Sequence, residues 1–253
     1  MVTINFRNIK SIKLLPGGQS IGVSSRFCNQ MSAIGTLTFI EPDLNRYGAV
    51  GHIIPGFNKN KMKSWCIRAS AVNGVRKGEK GVPGTKMGSV VNDSGFWGTI
   101  EQNTRHGIFG EVHEYAPNPY FKEPIRVAGN EEIEKGPAKI YTVVDGEKVE
   151  EFNVMIETVI PKRRGAHDIL IHVIDPDLIQ KTGGIVKGMS GSPIIQNGML
   201  IGAVSHISAN NSLRGYGVFI EKMIMNLGLR ESAFSFQSIS NLFSRPALGL
   251  LRI

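Results

Sequence analysis

The stretch "GMSGSPIIQNGMLIGAVSHIS" runs from Gly188 to Ser208 and places a serine between glycines, just before a strand-like apolar run. Glycines on both sides of Ser190 allow the backbone to adopt unusual dihedral angles and to approach another molecule closely. Two interpretations fit this pattern. The segment is either an ordinary turn, or a loop that exposes a nucleophilic hydroxyl among backbone N–H groups.

Short strand-like runs separated by turn residues extend from this segment towards both ends of the chain. The 253 residues include 30 glycines and 12 prolines, which favours an all-β fold over a helical bundle. Asp145-Gly146 and Asn197-Gly198 are strong signals for hairpin turns between such runs. The proline-rich segment "APNPYFKEP", residues 116–124, separates two sets of about six strands.

Closing each set of strands into a barrel would remove exposed strand edges. We therefore predict two antiparallel β-barrels, the first over about residues 1–115 and the second over about residues 125–228, in one domain of residues 1–228. The run from about Ile220 predicts a C-terminal helix capped by Gly228. Residues 229–253 form a tail with helical apolar spacing, which is typical of a docking face.

Charge and cysteine content narrow the possible partners. The formal net charge is +8, but the longest basic run is only Lys162-Arg163-Arg164 and lacks interleaved aromatic residues, so nucleic-acid binding is not predicted. Cys28 and Cys66 lack metal-ligand spacing and are too few for a disulfide framework, so we predict no metal and no other cofactor. No segment has the pattern of a signal peptide or of an integral membrane helix.

The residues around Ser190 suggest acyl-transfer chemistry, which needs a nucleophile, a base and donors for the developing oxyanion. Ser190 is the candidate nucleophile, and the backbone N–H groups of Gly188 and Ser190 are the candidate oxyanion donors. His52, in "GAVGHIIPG", follows a short apolar strand among small residues and is the candidate base. His206 is its main rival, although a place within a predicted hairpin favours a pairing role for it.

Spacing offers a candidate for the acid that would orient the base. A chymotrypsin-type triad runs His, Asp, Ser, with gaps of about 45 and about 93 residues. The gaps here are 41 residues from His52 to Asp93 and 97 residues from Asp93 to Ser190. The spacing therefore indicates Asp93 as the acid. The structural alternative for Asp93 is a turn residue in "NDSG".

Three segments, "YGAVGHII", "NTRHGIFGEV" and "TGGIVKGMSGSPIIQNGMLIGAVSHI", resemble the SpoIVB sporulation serine peptidases of endospore-forming bacteria. The resemblance spans residues 21–227 and implies a chymotrypsin-like serine peptidase with His52 as base and Ser190 as nucleophile. It also implies that the acid is Asp175, in "HVIDPDL", which disagrees with the spacing. Structurally, Asp175 is alternatively a strand-end cap before Pro176.

The resemblance implies a function as well as a site. It implies an endopeptidase that cleaves a regulatory protein during sporulation signalling, by a Ser/His/Asp acyl-enzyme mechanism. The implied substrate is a protein or peptide, such as a membrane-associated sporulation regulator, in the space between the forespore and mother-cell membranes. Family members typically carry a membrane segment and a PDZ domain before the peptidase, whereas here "PGGQSIGV", residues 16–23, leads almost directly into the peptidase pattern.

A different class of function is also compatible with the sequence. A catalytically silent paralogue would keep the fold and bind a peptide by strand addition. The presence of His52, Ser190 and two candidate acids favours the enzyme over this binding module.

Overall fold

Strands dominate the part of the chain that the computed structural model describes, which comprises residues 11–25, 31–56, 64–79, 81–91, 97–115, 118–160 and 165–227. The strands of the first half are β1 (Lys13–Pro16), β2 (Ser20–Ser25), β3 (Met31–Glu41), β4 (Arg46–Ala49), β5 (Trp65–Arg76), β6 (Thr85–Val90), β7 (Trp97–Thr99), β8 (Gln102–Thr104), β9 (Gly107–Glu114) and β10 (Ile125–Arg126). The second half contains β11 (Gly136–Val143), β12 (Val149–Val159), β13 (Ile169–Val173), α1 (Pro176–Thr182), β14 (Pro193–Gln196), β15 (Met199–Ser208), β16 (Asn211–Phe219) and α2 (Ile220–Ile224). The predicted all-β class is confirmed.

The second half closes into an antiparallel barrel with the strand order β11-β12-β13-β16-β15-β14. Strands β11 and β12 pair around Asp145-Gly146, and β14 and β15 pair around Asn197-Gly198, so both predicted hairpins are confirmed. Asn197 and Gly198 have φ values of 51° and 74°. Two successive residues with positive φ are what a tight type I′ turn requires.

The strand pairings of the first half also return to the strand at which they begin. β3 pairs with β2, β2 with β5, β5 with β7, β7 with β9, β9 with β4, and β4 again with β3. Such a cycle removes the open edges of these strands. The predicted pair of antiparallel barrels is therefore confirmed, whereas the residue limits assigned to each barrel and to the tail stay a prediction.

Apolar packing joins the two barrels as well as filling each of them. Ile67 is fully buried within the first barrel and Ile171 within the second. A third cluster contains Phe39 and Phe109 of the first half together with Val218 of the second. Because this cluster crosses between the halves, it fixes the relative positions of the loops that meet at their boundary.

One segment differs from the sequence interpretation. The glycine-rich stretch of residues 77–88 suggests a long loop, but β6 begins within it at Thr85 and pairs with β5. A Cβ atom at Gly88 would lie 2.4 Å from the carbonyl oxygen of Ala71. This glycine therefore permits two strands to approach closely instead of marking a turn.

The helix α2 confirms the predicted C-terminal helix over Ile220–Ile224. Its predicted cap, Gly228, and the tail of residues 229–253 lie outside the described residues. Of the helices in the described ranges, none is long and apolar enough to cross a membrane.

Candidate active site

Strand β3 of the first barrel holds the loop that carries Ser190. Thr36 Oγ1 donates to the carbonyl oxygen of Gly188 at 2.9 Å, and the backbone N–H of Thr36 donates to the carbonyl oxygen of Ser190 at 2.9 Å. Thr38 Oγ1 donates to the carbonyl oxygen of Gly191 at 2.8 Å. Residues two apart on a strand face the same side, so both threonine side chains reach the loop. Three carbonyl groups of the loop are thereby satisfied by one strand of the other barrel.

The backbone N–H groups of the same loop fall into two sets. Three of them donate within the fold: Met189 to the Val186 oxygen at 3.1 Å, Gly191 to the Val204 oxygen at 2.7 Å, and Ser192 to the Met189 oxygen at 2.9 Å. In the described ranges the N–H groups of Gly188 and Ser190 have no acceptor. Two such N–H groups on one loop could donate together to a bound acceptor, which is what an oxyanion hole requires.

The loops that carry Ser190 and His52 meet at Gly191. A Cβ atom at Gly191 would lie 2.0 Å from the Thr36 carbonyl oxygen and 2.4 Å from the Val50 backbone nitrogen. Gly191 also has a φ of 95°, which side-chain-bearing residues rarely adopt. Only glycine thus allows the loop that carries Ser190 to contact the backbone two residues before His52.

His52 lies just beyond the end of β4, after Val50 and Gly51, whose φ values are 71° and 69°. Its half-buried ring makes a 2.8 Å hydrogen bond from Nδ1 to the carbonyl oxygen of Ile53. A carbonyl oxygen only accepts, so Nδ1 carries the proton and Nε2 retains its lone pair. Burial lowers the pKa of His52, and the bond to Ile53 opposes this effect. The ring is therefore neutral near pH 7 and has the tautomer that a general base needs.

Two further histidines stand beside His52 on the side of the second barrel. The ring of His206 lies 5.2 Å from that of His52, and the ring of His167 stacks on His206 at 4.3 Å. Burial, followed by the proximity of His167 and His52, lowers the pKa of His206 to about 4. His206 pairs with Tyr216 in the β15–β16 ladder, as its sequence position suggests. The His206 ring is therefore uncharged near neutral pH and packs beside His52.

Asp175 lies at the N-terminus of α1, where its carboxylate accepts four hydrogen bonds. The donors are the backbone N–H and side-chain amide of Asn153 at 3.0 and 3.1 Å, and the N–H groups of Asp177 and Leu178 at 3.1 and 3.2 Å. This is the geometry of a helix cap. Within the described part of the chain, the partners of Asp175 do not include His52, so its assignment as the acid stays a prediction.

Asp93, the acid that spacing indicates, lies outside the described residues. The structure therefore brings together the loops of His52 and Ser190 and the two candidate N–H donors. Of the two candidate acids, the described residues include only Asp175, whose carboxylate caps α1. The sequence did not predict that Thr36 and Thr38 hold the Ser190 loop. Their hydroxyl groups bond residues about 150 positions away, as Thr38 does with Gly191 at a separation of 153, and such a contact leaves no local signal in the sequence.

A buried lysine packs against the loop that carries Ser190. Lys86 is 3% exposed, and its Nζ donates to Thr142 Oγ1 at 2.8 Å across the boundary between the barrels. Its backbone N–H donates to the Lys187 carbonyl oxygen at 2.9 Å, and its side chain packs against Gly188. Because burial disfavours the charged form, the pKa of Lys86 falls to about 7.

The low pKa of Lys86 predicts a stability that depends on pH. Between a folded pKa of about 7 and the ordinary value of 10.5, the unfolded chain binds more protons, so the penalty of burying Lys86 shrinks as pH rises. Lys86→Met removes the charge. We expect the gain in unfolding free energy of this variant over wild type to decrease between pH 6.5 and pH 10, by about 1.4 kcal/mol per pH unit where the pH lies between the folded and unfolded pKa values.

Urea unfolding at the two pH values measures this difference. The exposed neighbour Lys187 provides a matched control, because Lys187→Met removes the same charge from the same loop without touching a buried site. A difference between Lys86→Met and wild type that does not change with pH would show that Lys86 titrates normally in the folded protein.

Comparison with known proteins relates this arrangement to a family. The family model described as SpoIVB peptidase S55 matches residues 20–224, which include every candidate site residue. Among curated proteins, none matches this sequence significantly.

Several solved structures are similar to this chain at low sequence identity. Deg5 is 14% identical and superimposes with a TM-score of 0.51, covering 87% of this chain and 90% of its own. The active form of the Rv3671c protease from M. tuberculosis is 15% identical, with a TM-score of 0.48 over 85% of this chain and 82% of that one. Human heparin binding protein is 10% identical, with a TM-score of 0.41 over 94% and 100%. The likeness to Deg5 supports the chymotrypsin-like fold.

Proposed function

Because the chain belongs to the SpoIVB peptidase S55 family and is a serine-type peptidase, we propose that it cleaves a regulatory protein of sporulation through Ser190 and His52. The substrate class is carried over from the family resemblance, which implies a regulatory protein of sporulation such as a membrane-associated regulator. The observation that carries the site assignment is that the N–H groups of Gly188 and Ser190 have no acceptor among the described residues, on a loop whose other polar backbone groups are bonded.

The proposed reaction follows from this arrangement. Ser190 Oγ attacks the carbonyl carbon of the scissile peptide bond, and His52 Nε2 accepts the hydroxyl proton. The carbonyl oxygen becomes an oxyanion that accepts hydrogen bonds from the N–H groups of Gly188 and Ser190. His52 then protonates the leaving amine as the C–N bond breaks. Water, deprotonated by the same imidazole, hydrolyses the acyl-enzyme and regenerates Ser190.

Two acids are proposed for the third position of the triad. The family resemblance supports Asp175, and the spacing to His52 and Ser190 supports Asp93. The four hydrogen bonds that Asp175 accepts in the structure suit a helix cap. We expect about a 10⁴-fold fall in kcat in whichever of Asp175→Asn and Asp93→Asn removes the orienting acid, and a kcat near that of wild type in the other.

Labelling with a fluorophosphonate probe tests the proposed function. We expect mass spectrometry to place the phosphonyl adduct on Ser190 and the label to be lost in Ser190→Ala. The matched variant Ser208→Ala, a half-buried serine at the end of β15, should label as wild type does. Absence of labelling in folded protein would instead favour the peptide-binding module.

The sporulation substrate requires a separate readout. Proteins from sporulating cells, incubated with wild type or with Ser190→Ala, are compared by sequencing new N-termini. New termini that appear only with wild type, and that lie in regulatory proteins, would support the proposed substrate class. Termini confined to unrelated proteins would contradict it.

A further inference from the structure

The first turn of strand β6 in the first barrel bonds the residue that immediately precedes Gly188. The backbone N–H of Lys86 donates to the carbonyl oxygen of Lys187 at 2.9 Å, and the backbone N–H of Lys187 donates to the carbonyl oxygen of Gly84 at 2.9 Å. Thr85 and Lys187 form the parallel bridge that these two bonds define. Both backbone polar groups of Lys187 are therefore paired with the beginning of β6, so the chain enters Gly188 in a fixed direction.

The bond from Lys86 sets the direction of the Gly188 N–H. The Lys187 carbonyl and the Gly188 N–H belong to one peptide unit, which is planar and trans, so these two polar groups point in opposite directions. If this peptide turned over, its N–H would face the Lys86 N–H, and two donors cannot bond each other. Lys86 therefore favours the orientation that directs the Gly188 N–H away from β6, where it can donate to an oxyanion.

The side chain of Lys86 lies across Gly188 and is anchored beyond it. A Cβ atom at Gly188 would be 3.1 Å from both Cβ and Cδ of Lys86, so the aliphatic stem packs against this glycine. Lys86 Nζ donates to Thr142 Oγ1 at 2.8 Å on β11 of the second barrel, and both residues are buried. Thr36 Oγ1 donates to the Gly188 carbonyl oxygen. Close packing and these bonds leave the peptide units around Gly188 little room to rotate.

From this geometry we propose that Lys86 positions the Gly188 N–H as an oxyanion donor, through its own backbone N–H and through the stem that it packs across Gly188. Lys86 is then a positioning residue that does not touch the substrate, and the nucleophile, base and acid keep their roles in the proposed triad. The inference rests on the proposed function, because it takes the Gly188 N–H to donate to the oxyanion. Removing one oxyanion donor costs about 10²- to 10³-fold in kcat, so misdirecting it should cost part of that.

Substitutions of different length at Lys86 test this role. Lys86→Ala removes the stem beyond Cβ, and we expect kcat to fall about 10- to 100-fold with KM unchanged, because the donor acts on the transition state. Lys86→Met keeps an atom at the δ position and should keep kcat near that of wild type. An activated peptide ester that wild type cleaves provides both constants. Met87→Ala, whose exposed side chain lies on the opposite face of β6, should leave both constants unchanged.

A transition-state analogue separates donor positioning from a general loss of structure. A peptide aldehyde of the same sequence adds the Ser190 O–H across its carbonyl, and the hemiacetal oxygen lies where the oxyanion forms. The dissociation constant of this aldehyde should rise in Lys86→Ala by the same factor by which kcat falls. The corresponding peptide alcohol cannot add Ser190, so it should bind equally well to wild type and to Lys86→Ala.

The possible failures are distinguishable. If wild type is not labelled at Ser190, the proposed function fails. If wild type is labelled and folded Lys86→Ala keeps the wild-type kcat, only the role of Lys86 fails. A rise in KM with kcat unchanged would place Lys86 in substrate binding, and an equal fall of kcat in Lys86→Met would assign the effect to the ammonium group; either result would overturn the inference. If Lys86→Ala does not fold, Lys86→Val replaces it, because valine favours a strand but lacks the δ atom, and a wild-type kcat in that variant would contradict the role of the stem.

Discussion

His52→Ala is expected to lower kcat by about 10⁶-fold, the loss typical of removing the base of a serine protease. Without an imidazole, Ser190 Oγ has no group to accept its proton, and the leaving amine has no donor. The oxyanion donors remain, so about 10³- to 10⁴-fold acceleration over water should persist. The rate of hydrolysis of an activated peptide ester that wild type cleaves measures this loss.

Two other histidines provide the comparison that this prediction needs. His172 lies on β13 with its Nδ1 3.2 Å from Glu157, and His172→Ala should keep the wild-type kcat. His206→Ala removes a ring that packs beside His52 without acting as base, so kcat should fall by about tenfold or less. A larger loss in His206→Ala than in His52→Ala would make His206 the base.

The hairpin turns and the short apolar runs between them made much of the fold predictable from the sequence. Asp145-Gly146 and Asn197-Gly198 mark their hairpins because few residues accept the positive φ values that such turns require. The alternation of short apolar runs indicates strands, and strands without a partner at their edges favour closure. These signals are local in sequence, so they can be read without knowing which distant residues meet.

The parts of the site that depend on distant contacts were not predictable in this way. Lys86 lies in a glycine-rich stretch that suggests a long loop, and lysine is seldom fully buried. The amide of Asn103 bonds Ile54, which precedes it by 49 residues, and nothing in "NTRHG" indicates that partner. Family resemblance implies that Asp175 matters, but the residue type alone does not distinguish an acid from a helix cap.

Gly191→Ala is expected to damage both activity and stability, because the new methyl group has no space. Its Cβ would lie 2.0 Å from the Thr36 carbonyl oxygen and 2.9 Å from Val50 Cα, and backbone atoms cannot rotate away as side-chain ends can. The loop must shift, which weakens the bonds that Gly191 makes to Thr38 and Val204. A shift of the neighbouring Ser190 N–H misplaces an oxyanion donor, so kcat should fall about 10²- to 10³-fold.

Gly198→Ala separates the effect of steric overlap from that of backbone strain. Gly198 has a φ of 74°, comparable to the 95° of Gly191, but a Cβ there would meet nothing within 4 Å. The free energy of unfolding of this control should fall only by the cost of a side-chain-bearing residue in the left-handed conformation, about 1–2 kcal/mol, and its kcat should be unchanged. In urea titrations, the free energy of unfolding of Gly191→Ala should fall by more than that of Gly198→Ala. The activity of Gly191→Ala should fall as well. Equal stability and activity in the two variants would mean that the loop has room for a side chain, and the close contact between the Ser190 and His52 loops would not be required for catalysis.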